Sequence, residues 1–84
     1  MGANPDPKTK PQHKPAYRRL ARRLHELREA SGHTQRSLAQ AIRLPASTVH
    51  KIEHGDRRID PIEFIRWCRA CDADPGKTLN QLKA

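Results

Sequence analysis

The sequence is short of apolar and aromatic residues. Of its 84 residues, 35% are hydrophobic and 4% aromatic, with a single Trp, Tyr and Phe. That supply closes one small domain. It excludes a doubly wound sheet, a barrel enzyme or any fold built around a large pocket. No apolar run approaches the ~18 residues of a membrane span, and no apolar stretch near Met1 suggests a secretory signal. The two cysteines, spaced C-x-x-C, are too few for a secreted disulfide scaffold. Period-two alternation is absent over any useful length, so no strands are expected, and no internal repeat is visible. Acidic residues are scarce as well: nine Asp and Glu face 17 Lys and Arg, for a net charge of +8. The expectation is a small, basic, cytoplasmic domain whose partner is a polyanion rather than a membrane.

The charge is concentrated. Residues 17–58 carry ten Lys and Arg against four acids, whereas residues 59–84 carry four of each. The basic surface therefore belongs to the first two-thirds of the chain, and the neutral last third suits packing or self-association. Residues 1–16 hold Pro5, Pro7, Pro11 and Pro15 and almost nothing apolar, which predicts a disordered basic arm. Such an arm either helps hold nucleic acid or is an inert solubilising tail.

From Tyr17 the pattern turns helical, with Tyr17, Leu20, Leu24 and Leu27 on one stripe of a 3.6-residue period. Gly32 suits the residue after a helix end. Thr34 suits the cap of a second helix, Gln35–Ile42, with Leu38, Ala39 and Ile42 on its apolar face. Pro45 opens a third helix over 46–54, with Val49 and Ile52 inward and Gly55 as its stop. Pro61 suits the first turn of a fourth helix to about residue 73, with Ile62, Ile65, Cys68 and Cys71 inward and Trp67 off that stripe, at the core edge or in a dimer interface. A short fifth helix over 77–82 uses Leu79 and Leu82. The fold class is thus all-α: a compact bundle of about five short helices over 17–84, preceded by the arm.

Two short helices joined by a tight turn form a helix-turn-helix pattern. The second must fit a ~12 Å major groove while the first lies across the backbone. Small Ala39 lets the two cross closely, and Ile42, Leu44, Val49 and Ile52 pin the unit. The other face of the third helix is then free. The run Leu27-Arg28-Glu29-Ala30-Ser31-Gly32-His33-Thr34-Gln35, then Leu38-Ala39, then Ser47-Thr48-Val49-His50-Lys51-Ile52-Glu53-His54-Gly55-Asp56-Arg57-Arg58, followed by Ile62-Glu63-Phe64-Ile65, resembles the Cro/C1-type helix-turn-helix family of bacterial and phage regulators, the xenobiotic-response-element-like group. Arg43 departs from it, because the family usually has Gly at this turn position, where φ is often positive.

The resemblance implies roles. Ala46, Ser47, His50 and Lys51 fall at base-facing positions, with the methyl groups of Ala46 and Thr48 suited to thymine and Lys51 to guanine. Gln35 falls at a backbone-phosphate contact, and Arg36, Arg43, Arg57 and Arg58 are candidate phosphate clamps. Arg28 and Glu53 match a structural ion pair that orients the recognition helix. The roles of Arg18, Arg19, Arg22 and Arg23 stay open between phosphate, an acidic partner and plain solvated charge.

Two further strings invite catalytic readings. His50-Lys51-Ile52-Glu53-His54 matches the H-x-x-E-H of inverted zinc peptidases, yet a catalytic zinc needs a third ligand and a cleft that this chain does not offer. Trp67-Cys68-Arg69-Ala70-Cys71 matches W-C-x-x-C, yet its cysteines fall within a helix rather than at a helix N-terminus, where a thiol is activated. Core packing is the better account. No catalytic residue, metal or cofactor is expected. The function expected is sequence-specific binding of double-stranded DNA as a transcriptional regulator, a repressor acting as a homodimer on a palindromic operator. The alternative is an antitoxin or adaptor that docks a protein such as a toxin.

Overall fold

The computed structural model describes residues 14–83. Among them the chain forms five helices: α1 (Pro15–Ser31), α2 (Gln35–Ile42), α3 (Ala46–Glu53), α4 (Pro61–Ala70) and α5 (Pro75–Gln81). No strand occurs among the described residues, and no helix of theirs is long and apolar enough to cross a membrane. The proposed arm lies outside them except for its last residues, of which Pro15 and Ala16 already belong to α1. The helix starts two residues before Tyr17 because a proline at the first helical position lacks only an N–H that has no partner there anyway.

Helix ends follow local chemistry. Gly32 takes φ 83°, and its N–H closes on Glu29 O at 3.1 Å. Thr34 Oγ1 accepts from Ser37 N at 2.9 Å while Ser37 Oγ accepts from Thr34 N at 2.9 Å, a reciprocal cap on α2. Asp60 and Glu63 build the same device at α4, and Asp74 caps α5 through Lys77 N. Between α2 and α3 the chain turns at Arg43, in the left-handed region at φ 60°, ψ 44°, so Leu44 N reaches Ala39 O at 2.9 Å. A non-glycine residue holds that conformation at a cost of roughly 1–2 kcal/mol.

The core gathers Leu24 and Leu27 of α1, Leu38, Ala39 and Ile42 of α2, Val49 and Ile52 of α3, and Phe64, Trp67, Cys68 and Cys71 from α4 and its end. Leu24, Leu38 and Val49 are fully buried, each contributing roughly 1.5–3 kcal/mol. Here α4 departs from the expected stripe. Ile62 is 58% and Ile65 37% exposed, whereas Trp67 is fully buried. The indole Nε1 donates to Leu24 O at 3.1 Å, so the ring wedges between α4 and α1 with its polar atom satisfied. The helix also stops at Ala70 rather than near 73, because Asp72 takes φ 56° and Ala73 N turns back to Cys68 O at 2.8 Å. In α5, which runs over 75–81 instead of 77–82, Thr78 fills the inward position and Leu79 is left 52% exposed.

Candidate nucleic-acid interface

With Val49 and Ile52 buried, α3 turns Ala46, Ser47, His50 and Lys51 outward as one exposed face, and Thr48 sits half-buried at its edge. Arg36 on α2 and Arg43 in the turn are exposed beside it. Pro45 precedes α3 without a side-chain cap, so its first amides keep no side-chain partner.

The orientation of α3 is set from behind by one carboxylate. Glu53 accepts from Arg28 Nε at 2.5 Å and Arg28 Nη2 at 3.1 Å, from Gln35 Nε2 at 3.0 Å, and lies 3.0 Å from His25 Nδ1. Arg28 Nη1 also donates to His33 O at 2.9 Å. The network therefore joins α1, the turn before α2, the start of α2 and the end of α3. Burial alone would push the Glu53 carboxyl up, but hydrogen bonds from Arg28, His25 and Gln35 outweigh it and hold the group below its ordinary range. The Glu53 hydrogen bond raises Arg28 in turn.

This geometry redistributes several candidate residues. Gln35 is half-buried, with its amide nitrogen on Glu53 and its oxygen 3.4 Å from His50 Nδ1. These contacts make it a strut between α2 and α3. Arg57 forks onto Glu63, Nη1 to Oε1 at 2.9 Å and Nη2 to Oε2 at 3.0 Å, and so ties the loop after α3 to the cap of α4. Arg58 remains exposed, with Nη2 donating to Tyr17 Oη at 2.6 Å and its guanidinium carbon 5.1 Å from the ring centroid. Sequence reasoning missed His25 and Tyr17. The signal for His25 was its place three residues before Arg28 on the same helix face. Nothing local marked Tyr17 as the partner of Arg58.

The two catalytic-looking strings are occupied otherwise. His50 and His54 stack on each other at 3.9 Å, whereas Glu53 points to Arg28. Among the described residues no group of three or more His, Cys, Asp or Glu is arranged to hold a metal. Cys68 and Cys71 are buried free thiols, and burial pushes both up, away from the reactive thiolate.

A family model described as a helix-turn-helix domain matches residues 19–82. Among solved structures, the chain is similar to the clp gene regulator ClgR from Corynebacterium glutamicum, with a TM-score of 0.69 and 26% identity over 75% of this chain and 68% of that one. It is also similar to the restriction-modification controller protein C.AhdI from Aeromonas hydrophila, with a TM-score of 0.67 and 32% identity over 71% of this chain and 91% of that one. No curated protein matches the sequence significantly.

Proposed function

The chain belongs to the helix-turn-helix domain family, and from that premise we propose that it binds double-stranded DNA sequence-specifically as a small transcriptional regulator, a repressor acting as a dimer on a palindromic operator. One observation carries this reading. The exposed polar face of α3 is held from behind by the buried Arg28–Glu53 network, which reaches His50 through Gln35 and leaves Ala46, Ser47 and Lys51 outward. Ala46, Ser47, His50 and Lys51 enter the major groove, where each good base contact discriminates by about 1–3 kcal/mol. Arg36, Arg43 and Arg58 contact phosphates, which fix register without reading sequence.

Dimerisation uses the neutral last third. Ile62, Ile65 and Leu79 are large apolar side chains left exposed there, and two such faces meet without charge repulsion. Two recognition helices about 34 Å apart then read both half-sites. The test is a gel shift with a palindromic operator and its isolated half-site at two salt concentrations. A dimer touching roughly six to ten phosphates loses about 10³–10⁵-fold in affinity between 50 and 200 mM salt and prefers the palindrome. A flat salt profile removes the DNA reading and leaves the exposed apolar face as the docking surface of a protein partner.

A further inference from the structure

Four arginines crowd the N-terminal half of α1, and the structure divides them into two pairs. Arg19 donates through Nε to Lys83 O at 2.7 Å, and Arg23 Nη1 lies 3.5 Å from Glu26. The side chains of Arg18 and Arg22 have no hydrogen bond or ion pair among the described residues. They lie four apart, one turn of helix, and His25 continues their stripe. With Glu53, His54 and Gly55 they line an open cleft of about 570 Å³ between α1 and the end of α3.

The cleft has no free countercharge. Glu53 is the acid that lines it, and that carboxylate is consumed by Arg28, His25 and Gln35. Arg18 also closes the first turn of α1, where no acidic residue stands and a cation opposes the helix dipole. A bound anion would offset both costs, and a guanidinium takes a phosphate with two parallel hydrogen bonds. The cleft is continuous with the outward face of α3, since the His54 ring at its wall stacks on His50 at 3.9 Å.

We propose that Arg18 and Arg22 bind the phosphate backbone of duplex DNA alongside the base pairs under α3, adding a second anchoring strip on the α1 side. The assignment rests on the DNA-binding reading above. It explains which α1 arginines stay unpaired: those facing the α3 side, while Arg19 and Arg23 are engaged within the chain.

The experiment compares three proteins on one operator duplex: the wild type, the Arg18→Ala/Arg22→Ala variant and the charge-matched Arg19→Ala/Arg23→Ala variant. Affinity is measured from 50 to 200 mM salt, with circular dichroism to confirm the fold. Loss of two phosphate contacts lowers the slope of log affinity against log salt by about 1.8 per bound chain. Over that range the wild type should therefore lose about 12-fold more affinity per bound chain than the Arg18/Arg22 variant. The Arg19/Arg23 variant should keep the wild-type slope. Equal loss in both variants would make the effect general charge and overturn the proposal. An unchanged slope in the Arg18/Arg22 variant would overturn it while leaving the DNA reading intact. A wild type that binds no duplex would remove both. Inorganic phosphate provides the remaining arm. If the Arg18/Arg22 substitutions abolish thermal stabilisation by phosphate yet spare the DNA slope, the cleft is a small-anion site and the assignment to DNA falls.

Discussion

The guanidinium of Arg28 grips both oxygens of Glu53, Nε to Oε2 at 2.5 Å and Nη2 to Oε1 at 3.1 Å, across 25 residues of chain. Their side chains are 8% and 2% exposed, so this fork stands largely out of water. Removing one partner of a buried pair strands the other and costs about 3–5 kcal/mol. Glu53→Ala should therefore destabilise the domain by that much in urea unfolding, because Arg28 loses its buried carboxylate and keeps only the carbonyl of His33, the His25 ring and the exposed Glu29. A loss under about 1 kcal/mol would show that the pair does not hold α3 in place.

Acid should unfold the protein through two carboxylates. Hydrogen bonds from Arg28, His25 and Gln35 overcome burial to lower Glu53, and the Arg57 fork lowers Glu63. A carboxyl lowered in the folded state contributes stability above its unfolded value, near 4.5 here, and loses it as pH falls through the folded value. Melting temperature should be level above about pH 5 and fall steeply below about pH 4. Glu53→Gln should flatten that acid limb, and an unchanged limb would contradict the assignment to Glu53.

Arg43→Gly tests strain against contact. Arg43 sits at φ 60°, so glycine relieves roughly 1–2 kcal/mol of left-handed strain and returns roughly 0.5–1 kcal/mol through unfolded-chain entropy. The variant should be as stable as the wild type or up to about 1.5 kcal/mol more stable. It should also bind operator DNA more weakly at low salt. Unchanged affinity would take Arg43 out of the phosphate contacts.

Lys51→Ala and Arg58→Ala should differ in kind. Lys51 lies on the outward face of α3, so its loss should compress the ranking of operator variants by about 1–3 kcal/mol at one base position. Arg58 lies in the loop beyond α3, braced on Tyr17, so its loss should weaken all sequences alike and lower the salt slope by about 1. Binding assays on a panel of single-base operator variants separate the two, and an unaltered ranking for Lys51→Ala would remove it from the reading face.

The two faces of α4 should separate folding from assembly. Trp67→Ala empties a fully buried site and should cost about 3–5 kcal/mol, enough to unfold much of so small a domain. Ile62→Ser with Ile65→Ser alters exposed positions and should leave the melting temperature within a few degrees. In sedimentation on a palindrome, that double variant should bind as one chain where the wild type binds as two. Two chains of the double variant would place the dimer contact elsewhere.

Much of the architecture is a local property of the chain. Gly32, Thr34, Pro45, Asp60 and Pro61 set helix ends through left-handed freedom, side-chain caps and a locked φ, effects reaching only four or five residues. The apolar periods of α1, α2 and α3 each have one dominant stripe, so their buried faces could be read directly. In α4 the apolar residues 62, 64, 65, 67, 68 and 71 cover more than one face, and period alone could not choose between Ile62 and Trp67. The positions of α1 and α2 decided it, since the Trp67 N–H could be buried only where Leu24 offered a carbonyl. The arginines divide for the same reason. Charge, which the sequence counts, identified a basic surface facing a polyanion. Whether a given guanidinium is spent inside the chain or left for a partner depends on which carboxylate or carbonyl the fold brings within about 3 Å. Arg57 found Glu63, six residues on, and Arg28 found Glu53. Arg18 and Arg22 found nothing among the described residues, and only the tertiary structure could separate them from Arg19 and Arg23.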